Sequence, residues 1–410
     1  MKNYNFNYNY LAQKLVEIIK VNESGSISYS EAFLKQDIDS IIETAHKFAE
    51  DTPKYEYNSI VRKGIKKFIK KTVRNGETLR RAIKAAENEF RSKPYNKYIL
   101  ISTLSFKYFN SLKSLRFNGT TVKFYKTLPS KYRLENIKTL VSSYFSEPYP
   151  SDYTIVECHV ASRSVFEAID KSFKTIDFIR GLWNISINFR NLNRIFSGKL
   201  KPINSIRLGP VHTLHHPNGK LVLDNFWYEI DCYVESADTS LMKQWANINR
   251  AFIFLRKNIN KVKFKDEIRE IFIRYVRALD SMDFESSYLK LWSLLEFLTN
   301  TQRMNYDKTI TRTLFFYKDD IHNKEILEHL RLLRNKMIHI GESRSEMDPV
   351  IFQLKRFVEG IIIFLVNSKD YFNDMEEVGY FLDLSTDYNI LKKEIKFRKR
   401  VFTLFKLTPN

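Results

Sequence analysis

Apolar residues recur at helical spacing over most of this chain and at alternate positions over a smaller part of it. Leu11, Leu15, Ile18 and Ile19 fall on one face of a helix expected over about 8–21. Further helices are expected over about 30–50, 59–73 and 78–91. In the third of these four, Ile60, Ile65, Phe68 and Ile69 form the apolar side, and Lys63, Lys66, Lys67, Lys70 and Lys71 cover the other. Asn75-Gly76 reads as that helix's terminator. The period then shortens. Residues 98–106, 122–125 and 153–160 read as strands, the second preceded by the turn signal Asn118-Gly119. A helix follows over about 164–183, with Ala168, Phe173, Ile176 and Ile179 apolar. Strands return within 206–234, where Pro217-Asn218-Gly219 turns a hairpin between 211–214 and 221–223. A helix over about 241–257 closes this region.

From Lys265 onward the spacing is helical throughout. Helices are expected over 266–279, 284–298, about 309–316, 323–339 and 349–366. In the fourth of these, Ile326, Leu330, Leu333 and Met337 form one stripe. Ser345 to Asp348 resembles a capping box, and Pro349 suits a first helical turn. The turn Asn258-Ile259-Asn260 is the candidate boundary, dividing a mixed region, 1–260, from a helical one, 261–410. The expected fold class is α+β: helices with a small sheet, then an all-α four-helix bundle. The tail from Lys369 has mixed character and a basic run from Lys392 to Arg400.

Composition narrows the partners. A formal charge of +20 suits a polyanion, with nucleic acid first, and equally a lysine-rich solvated surface. The five α-helical lysines named above are the candidate nucleic-acid-binding residues, since they form the densest basic stretch. Two cysteines, Cys158 and Cys232, exclude a disulfide framework and a thiolate zinc cluster, and point to a reducing cytoplasm. The N-terminal residues lack the apolar core of a signal peptide. The most apolar run, 361–366, is too short to span a bilayer, so no membrane partner is expected. His212, His215 and His216 cluster at the hairpin without a suitably spaced carboxylate, so neither metal nor cofactor is expected. Cys158 and His159 are strand neighbours and should point to opposite faces. Glycine-rich phosphate-binding loops are absent from the sequence.

The remaining chemistry sits in Arg334-Asn335-Lys336-Met337-Ile338-His339. The spacing alone says little, because Arg207 and His212 share it with Gly209-Pro210 between them. The setting says more. His339 falls in the last turn of a striped helix, Gly341 stands where a C-cap is expected, and Leu291-Trp292-x-x-Leu295-Glu296 lies on an earlier helix.

An Arg-Asn-x-x-x-His motif ending the third helix of a four-helix bundle resembles the HEPN superfamily (higher eukaryotes and prokaryotes nucleotide-binding domains), its ApeA-like branch most of all. The resemblance covers roughly Lys265 to Ser368. It implies a metal-independent endoribonuclease acting on RNA as a homodimer, an effector of bacterial anti-phage defence or toxin-like growth arrest with a phage-derived trigger or an inhibitory partner. Carried over by position, His339 would be the general acid or base, Arg334 would stabilise the phosphorane and Asn335 would orient the phosphate or cap the motif. Glu296 could hold Arg334 or His339 in place. Gly341 stands where some members have a tyrosine, so that tyrosine's role does not transfer. Two alternatives stand beside this: a HEPN-like module that binds RNA or protein without cleavage, and a regulatory scaffold whose basic faces only solvate it.

Overall fold

Four N-terminal helices fold on one another: α1 (Tyr8–Ile18), α2 (Ala32–Ala45), α3 (Tyr57–Ile69) and α4 (Gly76–Arg91). The structure, a computed structural model, describes residues 6–21, 27–189, 201–228, 232–302, 306–317, 321–339 and 347–405. Leu15, Ile42, Ile60, Ile65, Phe68, Leu79 and Ile83 bury together in a core that belongs to these helices. α3 and α4 touch at Gly64, where a Cβ would come within 2.7 Å of the Ile83 Cα. The expected first helix stops early because Ile19 and Val21 enter a short antiparallel ladder, β1 (Ile19–Val21) with β2 (Ile27–Tyr29). β-Branched residues take that extended alternative readily. Asn75 opens α4 and is not the end of α3. Its side chain accepts from the Thr78 N–H at 2.9 Å while Thr78 Oγ1 accepts from the Asn75 N–H at 2.9 Å, a reciprocal cap.

The central sheet contains β3 (Asn96–Leu104), β4 (Leu115–Phe117), β5 (Thr120–Tyr125), β6 (Thr154–Ser162), β7 (Val211–His215) and β8 (Leu221–Tyr228). Its order is β4-β5-β6-β3-β7-β8, antiparallel at every pairing. Side chains alternate between two cores. Val156, Cys158 and Val160 face one way. Ile155 faces the other, with Ile137 and Val141 of α5 (Leu134–Val141). The hairpin turn lies where the Pro-Asn-Gly signal put it, with Gly219 at φ 88°. The three-residue β4 and the eight-residue α5 were not expected; neither is long enough to show a period.

Helix α6 (Val165–Asn188) crosses the first face of the sheet and is buried on most of its circumference. It packs on α7 (Ser240–Ile259) and on α8 (Lys265–Leu279). At the crossing with α8, a Cβ on Gly181 would stand 2.7 Å from the Phe272 carbonyl oxygen. Beyond α8 lie α9 (Phe284–Leu298), α10 (Tyr306–Leu314), α11 (Ile321–His339) and α12 (Asp348–Asn367). α9 packs on α8, α11 and α12. One apolar cluster runs from the sheet through α6 and α7 into α8, α9 and α12, so the turn Asn258-Ile259-Asn260 lies within a continuous core. The tail adds α13 (Met375–Leu382) and α14 (Tyr388–Leu404), the latter carrying the basic run. The class is thus α+β. No described helix is long and apolar enough to cross a membrane.

Candidate active site

The end of α11 is positioned by its contacts with α9 and α10. Its innermost residues are Leu327 and Leu330; Ile326, Leu333 and Met337 are half-buried. The stripe read from the sequence is therefore rotated by one residue at its start, because the helix rolls Leu327 inward. Tyr288 of α9 donates its hydroxyl to the Leu330 carbonyl, which fixes the two helices against each other.

Arg334 follows one turn later and is half-buried. Its guanidinium carbon lies 4.4 Å from the centre of the Tyr306 ring of α10, within cation–π range. Its Nη1 donates to Asn335 Oδ1 at 3.4 Å, a long bond. Glu296 of α9 is half-buried and accepts from Trp292 Nε1 at 2.8 Å. Burial pushes its carboxyl above the usual range, and the Trp292 bond and the Arg334 charge pull partly back. Arg334 and Glu296 thus act on each other through space, with no direct ion pair. Arg334, Asn335 and Glu296 share one place in the fold.

His339 is the last residue of α11. Its side chain lies outside the described atoms, and the expected C-cap at Gly341 and capping box at Ser345 lie outside the described residues. Helix geometry still relates the two motif positions. Five residues are about 7.5 Å of rise and about 140° of rotation, so positions 334 and 339 do not share a face. One helix does not by itself aim both at one phosphate.

The lysines of α3 stand elsewhere, on the N-terminal helices. Lys63, Lys66, Lys67, Lys70 and Lys71 are all exposed. Lys67 is spent on Glu89 at 2.9 Å. Lys66, Lys70 and Lys71 have no carboxylate partner among the described residues.

The other sequence candidates are structural. His212 is buried, bonded to Ser102 Oγ at 2.9 Å, and its imidazole is pushed down to about 4 by burial. His215 is buried between Thr213 Oγ1 at 2.8 Å and the Gly219 carbonyl at 2.9 Å, again pushed down to about 4 by burial. Among the described residues no group of three His, Cys, Asp or Glu side chains is arranged to hold a metal ion. Cys158 sits in the apolar core, where burial raises its thiol to about 12. His159 points to the opposite face and contacts Glu157 Oε1 at 2.5 Å.

Sequence reasoning missed three side chains of the site: Tyr288, Trp292 as a partner, and Tyr306. Only Trp292 carried a signal, four residues before Glu296 on one helix face. Comparison with known proteins adds nothing to the geometry: no family model, no curated protein and no solved structure matches the chain.

Proposed function

We propose that the chain is a metal-independent endoribonuclease whose cleavage site is completed when two copies bring their α11 ends together. The observation that supports this reading is the half-buried Arg334, stacked on Tyr306 and near Glu296, one turn before the terminal His339. An arginine so placed keeps donors for a phosphate while its stem is fixed. The angular offset between positions 334 and 339 favours a partner copy supplying the second group. Arg334 lies on the fourth helix after Lys265 in chain order, the third when the nine-residue α10 is set aside.

In the reaction, a ribose 2′-oxygen attacks the adjacent phosphorus as its proton passes to a base. The bond from phosphorus to the 5′-oxygen breaks, and that oxygen takes a proton. The products are a 2′,3′-cyclic phosphate and a 5′-hydroxyl. His339 moves one of these protons. Arg334 stabilises the charge of the pentavalent state. Asn335 orients the phosphate, and Glu296 is a positioning residue that biases Arg334. Defence against phage or toxin-like arrest is the setting proposed for such an effector.

The test is RNA cleavage by the purified chain in excess EDTA, beside His339→Ala and Arg334→Ala. Cleavage that survives EDTA and fails in both variants is expected. RNA left intact but retained in a salt-sensitive complex would replace this reading with a non-catalytic binding module, to which exposed Lys66, Lys70 and Lys71 would contribute. Toxicity of the expressed chain that His339→Ala relieves would report activity even where a trigger is required.

A further inference from the structure

A cleft of about 990 Å³, which Arg334 does not line, lies between α6, the segment 202–208 and the α8–α9 turn. Its floor is ionic. Arg180 donates to Asp177 Oδ1 at 2.5 Å and to both oxygens of Asp280 at 2.9 and 3.1 Å. Arg277 Nε donates to Asp177 Oδ2 at 2.6 Å. Asn204 donates to Asp280 Oδ1 at 2.8 Å. Asp283, at the rim, is spent on capping α9.

The two sides of this charge balance are unequally used. Both oxygens of Asp177, Asp280 and Asp283 already accept hydrogen bonds, and Asp170, which also lines the cleft, pairs with Lys174 at 2.8 Å. Arg180 and Arg207 are buried, and their terminal nitrogens are held by Asp177, Asp280, the Asn204 carbonyl and Glu235. The cations nearer the opening keep donors in reserve. The terminal nitrogens of half-exposed Arg277 have no partner among the described residues, and Lys290 stands exposed at the rim. Part of the wall is apolar: Phe173, Tyr233 and Met282 line the cleft, and Phe166 does so at 57% exposure.

We propose that this cleft binds a nucleotide, its phosphates on Arg277 and Lys290 and its base against Phe166 and Phe173. The volume suits a ligand of that size. Base stacking on an aromatic face needs no glycine-rich loop, which this sequence lacks. The proposal does not depend on the ribonuclease reading.

The test uses the full chain and the fluorescent nucleotide mant-ATP. Saturable binding is expected, displaced by unlabelled ATP and weakened at least about tenfold by Arg277→Ala with Lys290→Ala, the value of one charge-assisted bond. Phe166→Ala should weaken it as well. Both variants change exposed or half-exposed side chains, and unchanged unfolding midpoints would show that they fold. His339→Ala and Lys66→Ala with Lys70→Ala should bind as the parent does. Absence of saturable binding, or equal binding by the Arg277/Lys290 variant, overturns the proposal. So does displacement by inorganic phosphate as effectively as by ATP, which would leave no role for the aromatic wall. Loss of binding in Arg334→Ala alone would place the nucleotide at α11 and overturn it too.

Discussion

Arg180 and Arg334 both lie on helices among carboxylates and aromatic rings, yet they are committed to different degrees. Arg180 joins α6 to the end of α8 through Asp177 and Asp280, and its guanidinium is buried. Arg334 rests on a ring, makes one long bond to its neighbour and meets Glu296 only at a distance. Charges whose partners are all protein hold elements together. Charges that are oriented, with donors that have no partner among the described residues, are available to a ligand. The difference separates the fold's ionic junction from its proposed reaction site.

The largest effect should come from breaking the junction. Arg180→Met leaves Asp177 and Asp280 without their shared partner, and should cost about 3–5 kcal/mol in urea-unfolding stability. A loss below about 1 kcal/mol would mean that the junction is not what separates the two arginines. Arg334→Ala should do the reverse. Its unfolding midpoint should move little, while RNA cleavage falls by about 10²–10³, the value of a charge-stabilising donor. A large stability loss with cleavage retained would make Arg334 structural as well.

Two carboxylates extend the contrast to pH. Burial alone would raise the Glu157 carboxyl, but His159, Tyr132 and Lys131 override it and hold the group at about 2. The folded state therefore releases this proton more readily than the unfolded chain. Glu157→Gln should lose stability at neutral pH, and the loss should shrink as pH falls from 4.5 towards 2. Glu296 has the opposite sign, raised by burial beyond what Trp292 and Arg334 recover. Its charge costs stability at neutral pH, and that cost disappears once both states are protonated, below the ordinary 4.5. Glu296→Gln should be no less stable than the parent at neutral pH, the difference closing on acidification. Matching pH slopes for the two variants would contradict the difference in their surroundings.

The smallest effect concerns α3. Lys66→Ala with Lys70→Ala should leave cleavage chemistry intact and weaken RNA retention. The salt slope of binding should fall by about 1.4, roughly 0.7 for each lost contact to a single strand. An unchanged slope would make these lysines a solvated surface.

Several parts of this arrangement were readable from residues alone. The bounds of α9 follow from the Asp283 cap and the spacing of Leu291, Leu294, Leu295 and Leu298. The Pro217-Asn218-Gly219 hairpin follows from turn chemistry, and the opposed faces of Cys158 and His159 from the pleat. Asn75 shows where local reading fails: the same Asn-Gly pair can end one helix or cap the next, and only the Thr78 partner decides. The roll of α11 that buries Leu327 depends on α9 and α12, which the stripe does not contain.

The amino-acid sequence by itself determined the longer helices, the strand face pattern and the motif Arg334-Asn335-x-x-x-His339, because caps, turns and periodicity act over a few residues. The tertiary structure alone decided which charges are spent. Arg180 meets Asp280 at a separation of 100 positions along the chain, and Tyr306 and Glu296 act on Arg334 from separate helices. Such pairings depend on how helices pack, and packing is set by the summed burial of many side chains, not by the spacing of any two.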